Sequence, residues 1–171
     1  MPVTLPELIR LDEYGGDGAA FIEAVYQVFR NDFVLSKPSF RRRNIGLKRL
    51  PIVDGKICTF YHITHEGEDE QNRTPDIRRC ERIRWLKSVI ERCDEWGLKV
   101  WEQIRKSEAR ICIWLERDEE PDYVVILADR KTYVLLWTTF VLTRDHEKNK
   151  KQKEYDAYKK AEAAKQGLTA S

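Results

Sequence analysis

Residues 122–142 read DYVVILADRKTYVLLWTTFVL. Two runs rich in β-branched and aromatic residues, Asp122–Ala128 and Thr132–Leu142, flank the short turn Asp129-Arg130-Lys131. A connection that short between two strands requires a hairpin. Working outward, 109–116 is another such run, ARICIWLE, joined to the first by RDEEP at 117–121. Three sequential strands with short connections predict an antiparallel meander. Further upstream, KICTFYHIT at 56–64 alternates and predicts a fourth strand. Ile57, Thr59, Tyr61 and Ile63 would face one way, and Cys58, Phe60, His62 and Thr64 the other.

Helical spacing marks the rest. Phe21, Ile22, Val25, Val28 and Phe29 make one apolar stripe behind the capping candidate Asp17. Residues 36–51 read as a basic loop ended by Pro51. Thr74-Pro75-Asp76 predicts a helix start, with a capping hydroxyl, proline at the first helical position and an acid in the first turn. That helix is expected to run to about Trp96, burying Ile77, Cys80, Leu86, Val89, Ile90 and Cys93, with a second helical piece over 98–106. Residues 145–165 are polar all round, with Tyr155 and Tyr158 as the only large anchors. They predict a solvated helix docked through those tyrosines, or a frayed one. The expected architecture is α+β: N-terminal helices and a central helix on an antiparallel sheet of about four strands over 1–144, and a charged helical tail over 145–171 whose end frays.

A chain of 171 residues with 42% hydrophobic residues is long enough for one packed core. Charged residues make up 35%, and the mean hydropathy is −0.62. No stretch is apolar for long enough to span a bilayer, so no membrane partner is expected. MPVTLPELIRLDEY lacks a basic head and apolar run, so a cytoplasmic location is expected. Cys58, Cys80, Cys93 and Cys112 show no paired spacing, which predicts small buried residues and no metal or other cofactor.

The net charge is +2, from 31 Lys+Arg against 29 Asp+Glu. That balance hides segregation. Arg41, Arg42, Arg43, Lys48 and Arg49 form one basic segment. Arg78, Arg79, Arg82, Arg84, Lys87 and Arg92 dominate the central helix, and Lys148, Lys150, Lys151 and Lys153 follow in the tail. Acids cluster at 66–70 and 116–122. Such runs are often solvated faces that pair with one another. Arginine at most of the leading positions suits phosphate, because the guanidinium fork matches its oxygens.

Three histidines stand out. A histidine within a strand, as expected for His62, is ordinarily a packed or surface residue. Its chemistry becomes interesting if Arg78 and Arg79 pack beside it, because cations lower an imidazole pKa and suit it to general base work. His65 is expected on the opposite face, exposed. His146 opens the tail and could cap it or reach a site. Thr138 and Thr139 interrupt an apolar strand, and either could donate to a phosphate. Arg130 and Tyr133 flank the last hairpin, where a base could stack. A cysteine nucleophile needs a histidine partner, and Cys80 is the one candidate.

FYHIT at 60–64, RTPDIRRCERIRW at 73–85 and DYVVILADRKTYVLLWTTF at 122–140, followed by a basic tail containing a histidine, resemble the phage and mobile-element nuclease-like domains of the barnase–EndoU–colicin–RelE fold. The resemblance spans residues 20–160. It implies metal-independent RNA cleavage, in which a ribose 2′-hydroxyl attacks the adjacent phosphate and leaves a cyclic phosphate, in a toxin or phage-related protein. His62 would be the acid or base. Arg78 or Arg79, with Arg130, would stabilise the phosphate, and Glu81 is the nearest carboxylate. Tyr133 and Thr138 or Thr139 would position the substrate. Arg41, Arg42, Arg43, Arg82, His146 and Lys150 would add nucleic-acid contacts. RNA is the expected partner, with a cognate antitoxin or inhibitor protein beside it. Two other readings remain open: a non-catalytic nucleic-acid-binding module on the arginine-rich face, and an interaction or inhibitor protein using the acidic hairpin or the tail.

Overall fold

The computed structural model describes residues 2–170. In chain order the elements are α1 (Gly18–Phe29), β1 (Ser39–Phe40), β2 (Arg43–Gly46), α2 (Cys58–Thr64), β3 (His65–Glu66), β4 (Thr74–Pro75), α3 (Ile77–Glu81), α4 (Ile83–Arg92), β5 (Lys99–Arg105), β6 (Glu108–Leu115), β7 (Asp122–Asp129), β8 (Tyr133–Leu142) and α5 (Asp145–Ala170). The fold is α+β. Strands β5 to β8 make the antiparallel meander, and β2 adds to β8 in parallel, with β1 at the edge. The result is a mixed six-stranded sheet, larger than the expected four. A separate two-stranded ribbon pairs β3 with β4.

Three expectations are corrected. Residues 58–64 are helix, not strand. Every residue of α2 except His62 is buried, so the helical period has no polar face through which to show itself. Residues 99–105 are strand, not helix. Their hairpin turns on Lys106 and Ser107, which hold φ of 49° and 65° without the Gly or Asn that usually signals such a turn. The central helix starts at Ile77 and breaks at Arg82 (φ −97°, ψ 13°). Asp76 is its cap, accepting from the Arg79 N–H, while Thr74 and Pro75 belong to β4.

Both faces of the meander are covered. On one, Tyr123, Val125, Leu127, Val134 and Leu136 pack with Phe21, Val25 and Phe29 of α1, Phe60 of α2, and Leu86 and Val89 of α4. On the other, Trp101, Cys112, Trp114, Val124 and Ile126 pack with Tyr155 and Tyr158, so the tail helix docks through its two tyrosines. Burial on both sides explains why β6 and β7 are nearly all apolar.

Strand β8 contains a β-bulge. Ile126 pairs with Thr138 and Leu127 with Leu136, which leaves Trp137 without a partner on β7. The extra residue shifts the alternation, so Leu136 and Thr139 share one face while Trp137 packs with the opposite cluster. The bulge brings the hydroxyls of Thr138 and Thr139 under the end of α2. They donate to the carbonyls of His62 (2.8 Å) and Ile63 (2.7 Å). The Tyr61 carbonyl accepts from the His65 N–H, and the Thr64 carbonyl from the Asp76 N–H at 2.9 Å. All four orphan carbonyls of this short buried helix therefore have partners.

Replacing Thr139, which is fully buried, by the near-isosteric valine leaves the Ile63 carbonyl unpaired. Thr139→Val is expected to destabilise the fold by about 1–3 kcal/mol in urea unfolding.

Candidate functional site

Helical spacing places Cys58 and His62 on one face of α2, one turn apart. The loop between β3 and β4, closed by its short ribbon, carries Glu70 to the same point. His62 Nε2 lies 3.3 Å from Cys58 Sγ and 3.0 Å from Glu70 Oε1, and Cys58 Sγ lies 3.9 Å from Glu70 Oε1. Lys48 Nζ stands 3.2 Å from that same carboxylate oxygen.

His62 lines a concave pocket of about 310 Å³ with His65, Arg73, Arg79, Trp137 and Thr138. The Trp137 ring meets the His62 ring edge-on at 5.8 Å. On the far side of Trp137 a second pocket, of about 430 Å³, is lined by Arg105, Lys106, Arg110 and Phe140, and it shares Trp137 and Thr138 with the first. The Arg110 guanidinium sits 4.3 Å from the centre of the Trp137 ring. His65 and Arg73 also border a third cleft, of about 620 Å³, between α1 and the 53–56 turn. Through these shared residues the three hollows adjoin in a band, with the His62 pocket between the other two. Arg73 Nε, Arg79 Nε and Arg110 Nη1 are buried in its walls without a hydrogen-bond partner among the described residues. Arg79 Nε is 3.1 Å from Asp76 Oδ2, close enough for an ion pair but without hydrogen-bond geometry.

Burial is the main cause holding the His62 pKa below its usual value. Arg73 and Lys48 push the same way, and the Glu70 carboxylate opposes them. His65 is more affected: burial first, then Arg73, Arg79 and Lys56, lower it to about 4. The Thr64 hydroxyl donates to the Phe60 carbonyl, so the 2.8 Å contact between Thr64 Oγ1 and His65 Nδ1 requires an Nδ1–H donor. His65 is thus a buried neutral histidine, not the exposed one expected.

The structure brings together His62, Arg79 and Thr138 of the expected site residues. Thr138 and Thr139 hold helix carbonyls, so they position His62. Arg78 is exposed and does not line the pocket. Glu81 pairs with Arg10 and Arg82, away from it. Arg130 lies at the β7–β8 turn, 3.6 Å from Glu108, which also pairs with Arg110 at the outer pocket. Arg41 makes a two-pronged pair with Asp94, and Arg43 pairs with Asp129 at 2.8 Å. Arg42, His146 and Lys150 are exposed, the latter two near the start of α5. Arg82 is buried over the Trp85 ring. Tyr133 is partly exposed and lies so close over Gly46 that a Cβ there would be 2.9 Å from its ring.

Sequence reasoning missed Cys58, Glu70, Arg73, Arg110 and Trp137. The C-T-F-Y-H spacing was visible, but it places sulfur beside imidazole only if the segment is helical. Cys80, the expected thiol candidate, has no histidine beside it; its sulfur approaches the Thr64 carbonyl at 3.5 Å, and burial pushes its pKa up to about 12. Comparison with protein-family models, curated proteins and solved structures returned no match.

A histidine with a folded-state pKa near 4 binds its proton in the unfolded chain first. Stability is therefore full above about pH 6.5 and falls as pH drops toward 4, by on the order of 3 kcal/mol from this one group. Denaturant titrations at pH 7.5 and 4.5 should show that loss, and a folded His65→Gln variant should show less of it.

Proposed function

We propose that the band around His62 binds single-stranded RNA and cleaves it without a metal ion. The observation that carries this reading is the convergence of His62, Arg73 and Arg79 in one pocket, with Trp137 leading to a second cationic pocket. An imidazole with a lowered pKa is neutral near pH 7 and can accept a proton. The guanidinium groups of Arg73 and Arg79 in the pocket wall suit a phosphate that gains charge in the transition state. Trp137 and Phe140 offer aromatic surface to bases beside Arg105, Lys106 and Arg110.

In the proposed reaction the ribose 2′-oxygen bonds to the adjacent phosphorus, and the bond to the 5′-oxygen breaks. The 2′-hydroxyl proton passes to a base, and the departing oxygen takes a proton from an acid. His62 serves one of these steps, and Arg73 and Arg79 stabilise the phosphorane between them. The products are a 2′,3′-cyclic phosphate and a 5′-hydroxyl.

The test is incubation of the protein with single-stranded RNA in excess chelator. Cleavage with cyclic phosphate ends is expected, reduced at least about 100-fold in His62→Ala and about tenfold or more in Arg73→Ala. Equal cleavage by His62→Ala would contradict the reading. RNA binding that weakens with salt, without cleavage, would leave only a binding module on the same cationic band.

A further inference from the structure

Cys58 Sγ, His62 Nε2 and Glu70 Oε1 lie within 4.8 Å of one another, and both the sulfur and the carboxylate approach the same imidazole nitrogen. A proton relay through histidine needs its partners on opposite ring nitrogens. Two groups on one nitrogen instead gather three possible ligand atoms at separations that leave one point within bonding reach of all three, as around a bound cation. We propose that Cys58, His62 and Glu70 form a three-ligand site for a thiophilic divalent metal ion of the zinc class, with a fourth position left open.

The distances fit. Tetrahedral coordination, with bonds of about 2.3 Å to sulfur and about 2.0 Å to nitrogen and oxygen, requires donor separations of about 3.5 Å for S–N, 3.3 Å for N–O and 3.5 Å for S–O. The separations are 3.3, 3.0 and 3.9 Å, each within about 0.4 Å of those values. The donor set of thiolate, imidazole and carboxylate suits zinc. Two ligands come from one buried helix whose terminal carbonyls are all tied down, so they are held in place before the metal arrives. Glu70 arrives on a loop that can adjust.

Binding releases the Cys58 thiol proton to solvent, and the proton that His62 Nε2 gives to Glu70 moves to Nδ1, which frees the Nε2 lone pair for the metal. Lys48 Nζ, at 3.2 Å from Glu70 Oε1, competes with the metal for the carboxylate. Its half-exposed side chain is free to swing away. If the ribonuclease reading holds, a metal on Nε2 leaves His62 without a free nitrogen to take up a proton, so zinc inhibits cleavage.

The test uses the chelator-treated protein titrated with Co²⁺. One equivalent should give a thiolate-to-cobalt charge-transfer band and tetrahedral visible bands, both lost on adding Zn²⁺. The band should vanish in Cys58→Ser and persist in Cys93→Ser, whose sulfur lies elsewhere in the core. Glu70→Gln should weaken binding by roughly tenfold or more. Lys48→Met should tighten it, a gain that misfolding would not produce. Absence of the band at equimolar cobalt, or its persistence in Cys58→Ser, overturns the site. These readouts are independent of RNA. Metal binding without cleavage in chelator sustains the site and rejects the ribonuclease reading. Cleavage in chelator without the cobalt band does the reverse.

Discussion

The site depends on two side-chain hydroxyls beneath one short helix. A seven-residue helix buried among other elements cannot give its last carbonyls to water. In this fold Thr138 and Thr139 take two of them, and backbone N–H groups of His65 and Asp76 take the others. The bulge at Trp137 puts both hydroxyls in reach, since neighbours on a regular strand would point to opposite faces. One extra residue in β8 therefore lets two hydroxyls anchor the end of α2, next to His62.

Everything around that imidazole follows from where α2 ends. The chain leaves the helix into the β3–β4 ribbon, whose loop returns Glu70 and Arg73 to the helix face. Arg79 reaches the same pocket from α3 and donates to the His65 carbonyl at 3.0 Å. Cations then outnumber carboxylates along the band, although the chain as a whole carries only +2. Much of the remaining basic charge is spent on internal pairs such as Arg41 with Asp94 and Arg43 with Asp129, which pin β1 and β2 against the rest of the fold. Charge runs in the sequence do not mark the site; the convergence of Arg73 and Arg79 on the His62 pocket does.

The meander of β6, β7 and β8 was legible because its strands are long, apolar and joined by short turns. Helix α1 was legible from the spacing of Phe21, Val25 and Phe29, and the tail from its two tyrosines. Helix α2 was not, because alternating β-branched and aromatic residues carry strand propensity and burial on almost every side erased the helical period. Strand β5 was hidden by a turn of Lys106 and Ser107 that lacks the usual turn residues. His62, Arg79 and Thr138 were read as site residues from their chemical types. Glu70 was one acid among several in a polar loop, and only the folded ribbon distinguishes it. Arg110 was invisible for the same reason: its place beside Trp137 is set by cross-strand register.

The threonine-anchored end of α2 holds His62 in a buried, cationic setting. The direct measurement is the NMR titration of the His62 imidazole in the presence of chelator, in the native chain and in Thr138→Val. A midpoint below 6.5 is expected in the native chain, moving back toward 6.5 when the helix end loses its anchor. A native midpoint at or above 6.5, or the same lowered midpoint in a folded Thr138→Val variant, would contradict it.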